Sequence, residues 1–353
     1  MSALRVAVIG AGAFGRNHLR VYRELELAHP ELVQLAALVE PDTERRAAFA
    51  STYNIPTFAT LPELFAANLP LDAASICVPT VHHASVAEQL LLAGLDVLIE
   101  KPFAATLEQT DRIIDLAQTH SRIVAIGHLE RFNPAVTATI ASLNRPMFFE
   151  SHRLSIFTPR SLDVDVVLDL MIHDLDIVLS LTNSPVTEVR AVGLPILSPK
   201  TDIANVRVEF ESGCVANFTA SRVSTEQVRK LRLFQPHQYL SLDFARQELL
   251  TISVDPAVVA AAIAAGSPPA PATVTATTQP LPAGATHPTA GLSLTKSDIP
   301  KGEPLRLELE DFLHAVRTRT QPRVPAQAGR EALALALTIN DQIAAHAHRA
   351  GLL

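Results

Sequence analysis

Apolar and polar positions follow two regimes along the chain. Up to about residue 130, short apolar runs alternate with stretches whose apolar residues recur every three or four positions. LRVAVI (4–9), LVQLAALVE (32–40), AASICVP (73–79), DVLIEKP (96–102) and RIVAIGH (122–128) read as strands. NHLRVYREL (17–25), HHASVAEQLLLAG (82–94) and LEQTDRIIDLAQ (107–118) carry helical periodicity between them. Strand–helix alternation of this kind builds βαβ units, so residues 1–129 are expected to form a doubly wound α/β domain around a parallel sheet. Beyond residue 130 the period changes. ANVRVEFESGCVANFTASRV (204–223) is two alternating strands around Glu211-Ser212-Gly213, and LRLFQ, QYLSLDF and ELLTISV continue the theme. Residues 130–353 are therefore expected to be an α+β domain with a large, mostly antiparallel open sheet. Residues 256–304 hold nine of the 25 prolines and no sustained period, and read as an insertion or long surface loop. EPLRLELEDFLHAVRT (303–318) and GREALALALTINDQIAAHAHRA (329–350) resume as helices, the last a candidate to pack back on the first domain.

One helical stretch breaks its own pattern. LDLMIHDLDI (168–177) sets Asp169, His173, Asp174 and Asp176 into an otherwise apolar run. At about 100° per residue, Asp169, His173 and Asp176 share a narrow stripe, with Ser180 one turn on. Three readings fit these residues: a hydrogen-bonded core histidine, a metal pair at i and i+4, or a general base with its orienting carboxylate.

Composition narrows the field. A chain of 353 residues has room for two domains, and 48% hydrophobic against 18% charged residues fits a globular fold. A net charge of -7 gives no reason to expect nucleic acid or an anionic membrane as partner. No apolar stretch nears the ~20 residues that span a bilayer, and Met1–Ile9 is not built like a signal peptide, so a cytoplasmic protein is expected. Cys77 and Cys214 lie in strand-like apolar settings and read as buried, inert thiols. Apart from Asp169 and His173, which Asp176 could join, no ligand cluster is evident, and no metal is expected.

GAGAFG (10–15) follows a strand directly and opens a helix, the context that gives G-x-G-x-x-G its mechanism. Gly10 permits the tight turn, Gly12 lets backbone approach a pyrophosphate, Gly15 lets the helix pack, and the turn with Ala13 and Phe14 would hold the dinucleotide. Glu40 ends the next strand near the expected spacing for a ribose-binding carboxylate, which favours NAD over NADP. Arg45 and Arg46 lie nearby and are most simply solvated. Lys101, in Glu100-Lys101-Pro102 at the carboxyl end of a strand, points toward the crevice where such sheets bind ligands.

GAGAFG, VPTVHH, EKP and DLMIHDLD in this order resemble the glucose–fructose oxidoreductase / inositol dehydrogenase / rhizopine-catabolism (Gfo/Idh/MocA) family, over nearly the whole chain. The resemblance implies a Rossmann domain, NAD, and an active site of Lys101, Asp169 and His173 that oxidises a sugar or cyclitol hydroxyl, with the helix of His173 lining an interdomain cleft. It puts Pro79, Thr80, His83, Glu100 and Lys101 on the nicotinamide side. GHLERFNPA (127–135), SHRLS and DVDVVLDLMIHDLD look like a narrower group, the UDP-N-acetylglucosamine 3-dehydrogenases and their relatives. Where many members have glycines before the helix, this chain has Asp163-Val164-Asp165. A nucleotide-sugar diphosphate needs cations, for which Arg131, Arg153 and Arg160 are candidates, with Asn133 and Asp176 as further substrate-side groups. For each arginine a structural ion pair is an equal alternative, and Asn133 and His152 could be core polar groups. An inositol or simple hexose dehydrogenase, and a non-catalytic NAD(H)-binding regulator, are the alternative functions. The family also implies a homodimer or homotetramer through the open sheet.

Overall fold

The computed structural model describes residues 2–158, 164–254 and 292–351, with a few isolated positions between 255 and 265. The chain divides into two compact units, Met1–Phe132 with Glu303–Ala334, and Asn133–Gly302 with Leu335–Leu353. The sequence places a single boundary at 129/130; the structure adds Glu303–Ala334 to the first unit and leaves Leu335–Leu353 with the second.

In the first unit, strands β1 (Leu4–Ile9), β2 (Val33–Val39), β3 (Thr57–Phe58), β4 (Ala73–Ile76), β5 (Asp96–Glu100) and β6 (Val124–Gly127) form one parallel sheet in the order β3-β2-β1-β4-β5-β6. That order reverses direction between β1 and β4, where open α/β sheets bind ligands. Helices α1 (Gly15–Ala28), α2 (Thr43–Tyr53), α3 (Leu61–Ala66), α4 (His83–Leu92) and α5 (Leu107–Thr119) make the crossovers. Register sets Ile9 beside Val39 and Ile76, Ile76 beside Ile99, and Glu100 beside Gly127. The Gly10 turn, Glu40, the Val78–Pro79 turn and Lys101 thus share one edge of the sheet. Helix α2 has no counterpart in the sequence pattern, because it buries no residue and so leaves no apolar period to find.

The second unit opens with α6 (Pro134–Ile140) and β7 (Phe148–Ile156), then α7 (Ile172–Thr182) and strands β8 (Val186–Leu194), β9 (Ile203–Phe210), β10 (Val215–Ser224), β11 (Val228–Gln235), β12 (Gln238–Asp243), β13 (Glu248–Val254) and β14 (Leu292–Lys296). They form an eight-stranded sheet in the order β14-β13-β12-β11-β7-β10-β9-β8, antiparallel except where β7 runs parallel to β10. The β9–β10 hairpin turns at Gly213, whose φ of +82° favours glycine. Phe149, Phe218, Leu231 and Leu240 fill one face. On the other, the Phe148, Phe234 and Tyr239 rings lie side by side at 5.5 and 4.9 Å. Strand β14 corrects the reading of 256–304 as one featureless insertion: residues 292–296 pair with β13. Most of the remainder of that insertion lies outside the described residues.

Helices α8 (Pro304–Thr318) and α9 (Ala326–Arg349) close the chain. Leu305, Leu309, Phe312 and Leu313 on α8 join Leu19, Tyr22, Leu25 and Leu98 in one core layer, while Ile113 of α5 and Leu90 of α4 belong to the layer on the sheet's other side. A parallel sheet needs cover on both faces, and the amphipathic α8 supplies part of it. This is the physical reason the chain returns to the first unit before it ends.

Candidate active site

The nucleotide end is built by the turn after β1. Gly10 has φ +92°, and a Cβ there would meet the Cys77 carbonyl at 2.8 Å. A Cβ at Gly15 would fall 2.0 Å from the Gly10 carbonyl, so the helix starts directly on its own turn. A Cβ at Gly12 would meet nothing within 4 Å. Gly12 thus borders open space, a hollow of about 300 Å³ lined also by Ala11, Ala13, Arg16, Arg45 and Phe49. Helices α2, α3 and α5 are closed by Asp42, Thr60 and Thr106, whereas α1 has neither a side-chain cap nor an acid in its first turn. Its N-terminus keeps amide donors for an anion. These features fit a dinucleotide pyrophosphate.

Glu40, 3% exposed, already holds two backbone donors: Ala11 N–H on Oε2 at 2.7 Å and Asp42 N–H on Oε1 at 3.0 Å. A carboxylate offers about four acceptor positions, so capacity for ribose hydroxyls remains. Arg45 lies 3.6 Å from Glu40 Oε2 and 3.5 Å from Asp42. Arg46 is not merely solvated; it donates to the carbonyls of Glu40 and Pro41 at 2.7 and 3.0 Å.

At the far end of the same sheet edge, Lys101 is half-buried after β5. Pro79 and Thr80 stand at the turn after β4. His83 lies deeper than these two. It is buried, with Nδ1 2.9 Å from the Pro102 carbonyl and Nε2 2.9 Å from the Val78 carbonyl. Both ring nitrogens therefore face carbonyls inside the protein, setting the ring between the turn after β4 and the residue after Lys101. Burial lowers the pKa of His83 despite those two carbonyls. Cys77 and Cys214 are free thiols whose pKa burial raises, to about 11 for Cys214.

In the second unit the DLMIHDLD segment is a helix, but its first turn, Val167–Met171, is π-helical and only Ile172–Thr182 is α. No spacing in the sequence marks the widened turn, and such turns recur at functional sites. Asp169 and His173 are half-buried, and Asp176 is buried. Asp165 starts the helix: Oδ1 accepts from Val167 and Leu168 N–H at 2.9 and 3.0 Å, and Oδ2 from Asn340 of α9 at 3.1 Å. The residue noted as a departure from glycine is thus an N-cap. The segment before it is held by Asp202 and its neighbours. Val166 N–H donates to the Thr201 carbonyl at 2.9 Å, and Arg222 to the Val164 carbonyl at 2.5 Å. Burial pushes the Asp202 carboxyl up, but the Ser198 hydroxyl and the N–H groups of Leu197, Ser198 and Ile196 outweigh it and hold its pKa at about 2. Ser180 donates to the Ile177 carbonyl at 2.6 Å.

Two of the substrate-side candidates make the structural contacts that were their alternative reading. Arg153 is buried, with Nε and NH2 on the two oxygens of Asp174 at 2.9 and 2.8 Å and the guanidinium 5.3 Å from the Phe244 ring centre. It anchors α7 to β7, which also accounts for Asp174 in the acidic run. Asn133 caps α6, accepting from Ala135 N–H at 3.1 Å and donating to the Phe244 carbonyl at 3.0 Å. Arg160 lies outside the described residues, as does Asp163. Arg131 is half-buried. Among the described residues no group of three or more His, Cys, Asp or Glu could hold a metal, and no helix is long and apolar enough to cross a membrane.

Residues 4–128 match the family described as "Oxidoreductase family, NAD-binding Rossmann fold", and residues 136–235 match the "GFO/IDH/MocA C-terminal domain". The chain belongs to the Gfo/Idh/MocA oxidoreductase family. Its first domain is an NAD-binding Rossmann domain. A UDP-N-acetylglucosamine 3-dehydrogenase from Acidithiobacillus ferrooxidans is 34% identical over 350 residues, 99% of this chain and 100% of that protein. The solved structure of that enzyme superposes with a TM-score of 0.82 over 98% of this chain and 99% of its own. An inositol 2-dehydrogenase from Corynebacterium glutamicum is 30% identical over 217 residues, 56% of this chain and 58% of that protein.

Proposed function

We propose that the protein oxidises the C3 hydroxyl of UDP-N-acetylglucosamine to the 3-keto nucleotide sugar, with NAD as acceptor. The observation that carries this reading is end-to-end similarity to an enzyme of that name, whereas the inositol 2-dehydrogenase aligns over little more than half its length. Retention of Lys101, Asp169 and His173 favours turnover over a cofactor-sensing role, since a sensor needs no base.

NAD, when bound, supplies the hydride acceptor. His173 takes the hydroxyl proton as the C–H bond breaks, a task suited to imidazole because that side chain titrates near neutrality. Lys101 donates to the developing alkoxide, where a fixed charge lowers the barrier most. Asp169, one turn before His173, orients the imidazole and selects its tautomer. Glu40 accepts from the adenosine ribose. Arg131 is the remaining described arginine proposed to meet the diphosphate. We also propose a homodimer or homotetramer through the outer sheet face, where Phe148, Phe234 and Tyr239 form a partly exposed aromatic row.

The test is a panel of UDP-sugars, free sugars and inositols with NAD and NADP, followed by NADH or NADPH absorbance. UDP-N-acetylglucosamine with NAD should give the highest kcat/KM. Turnover of an inositol without turnover of any UDP-sugar would contradict the reading.

A further inference from the structure

Glu100 and His18 form a buried pair beside Lys101 that the steps above leave unused. His18 Nε2 lies 2.9 Å from Glu100 Oε1; His18 is fully buried and Glu100 is 6% exposed. Glu100 Oε2 accepts the backbone N–H of Lys101 at 3.3 Å. A Cβ at Gly127 would come within 2.9 Å of the same carboxylate, so the neighbouring strand gives up a side chain to admit it.

The ring's other nitrogen fixes its state. His18 Nδ1 is buried and makes no hydrogen bond among the described residues. Nε2 alone meets a partner, so the ring N–H there donates to the Glu100 carboxylate. The carboxylate is thus held by the imidazole on one oxygen and by the Lys101 peptide on the other. Of the other groups that face Glu100, burial raises the pKa of Cys77 and lowers that of His83, and Glu308 on α8, which faces Cys77, is acidic.

We propose that Glu100, fixed by His18, is a positioning residue for Lys101. Its carboxylate holds the peptide from which the Lys101 side chain projects, and so sets where the side chain that donates to the alkoxide stands. Because α1 starts on the glycine turn, His18 also ties the nucleotide-binding helix to this strand end. The proposal rests on Lys101 being catalytic, so Lys101→Met serves as the reference variant.

The experiment compares Lys101→Met, Glu100→Gln, His18→Gln and His18→Leu in the full chain, by melting temperature, NADH affinity from fluorescence, and kcat and KM against pH. Glu100→Gln should fold, bind NADH nearly as wild type does, and lose about tenfold or more in kcat with little change in KM. The loss should hold across the pH profile, because what moves is the peptide that carries the Lys101 side chain. The amide introduced by His18→Gln reaches the same oxygen, so this variant should retain most of kcat. His18→Leu strips the carboxylate of its donor and should resemble Glu100→Gln. If Glu100→Gln fails to fold, the two His18 variants carry the comparison. A folded Glu100→Gln enzyme with wild-type kcat and pH profile, or His18 variants that behave alike, overturns the proposal. Near-normal turnover in Lys101→Met overturns instead the catalytic role of Lys101.

Discussion

Individual side chains in this chain take on roles that residue type alone leaves open. Arg153 is a good diphosphate ligand by chemistry, yet its fork is closed on Asp174 in a buried pair. A sequence gives no partner for a buried cation when the partner lies on a different element. Asp174→Ala should therefore destabilise the fold by about 3–5 kcal/mol in denaturant titration, the cost of stranding a buried charge. An unchanged unfolding midpoint would show that the pair contributes little. Glu40 differs, because its place at the end of β2 follows from the strand pattern and was legible. What the pattern omits is that Glu40 holds the Ala11 and Asp42 amides. Glu40→Ala is accordingly expected to weaken NAD, narrow its preference over NADP, and lower the melting temperature as well. A wild-type enzyme that prefers NADP would contradict the ribose role.

At the level of elements, the strands and helices with strong periods were legible, and those governed by local exceptions were not. β1, β2, β4 and β5 are apolar runs ending at the ligand edge, and β9 through β13 alternate as outward-facing sheets do. β3 has two residues and α2 buries none, so neither leaves a pattern. The π-helical turn at Val167–Met171 is set by packing and capping that no spacing rule contains. Asp165→Ala should remove about 1 kcal/mol of stability, a usual N-cap loss, and reduce kcat beyond that by loosening the turn that carries Asp169. Stability lost with kcat intact would separate the cap from the chemistry. Asp202 gives this region a pH dependence. Its pKa falls from 3.8 to about 2 on folding, so its stabilisation of about 2 kcal/mol is complete well above pH 3.8 and is lost as pH drops toward 2. Acid titration of unfolding should lose that slope in Asp202→Asn.

At the scale of the whole molecule, two domains follow from the change of period, but the return of α8 to the first unit does not. Its apolar face matches a helix; which layer it covers is a question of tertiary fit. The outer sheet face poses the same kind of question, and Phe234→Asp is expected to move the mass in light scattering toward the monomer while the protein stays folded. An unchanged mass would remove that face from the assembly. The family was legible because Lys101 and the Asp169–His173 pair sit in strings that a core would not require. The most direct test is NADH formation from UDP-N-acetylglucosamine by wild type and Lys101→Met, with NADH affinity measured on both. The account predicts turnover in the wild type and a loss on the order of 10²–10³ in kcat for Lys101→Met, at nearly unchanged affinity. No NADH from this substrate with the wild type, or near-normal turnover by Lys101→Met, would contradict it.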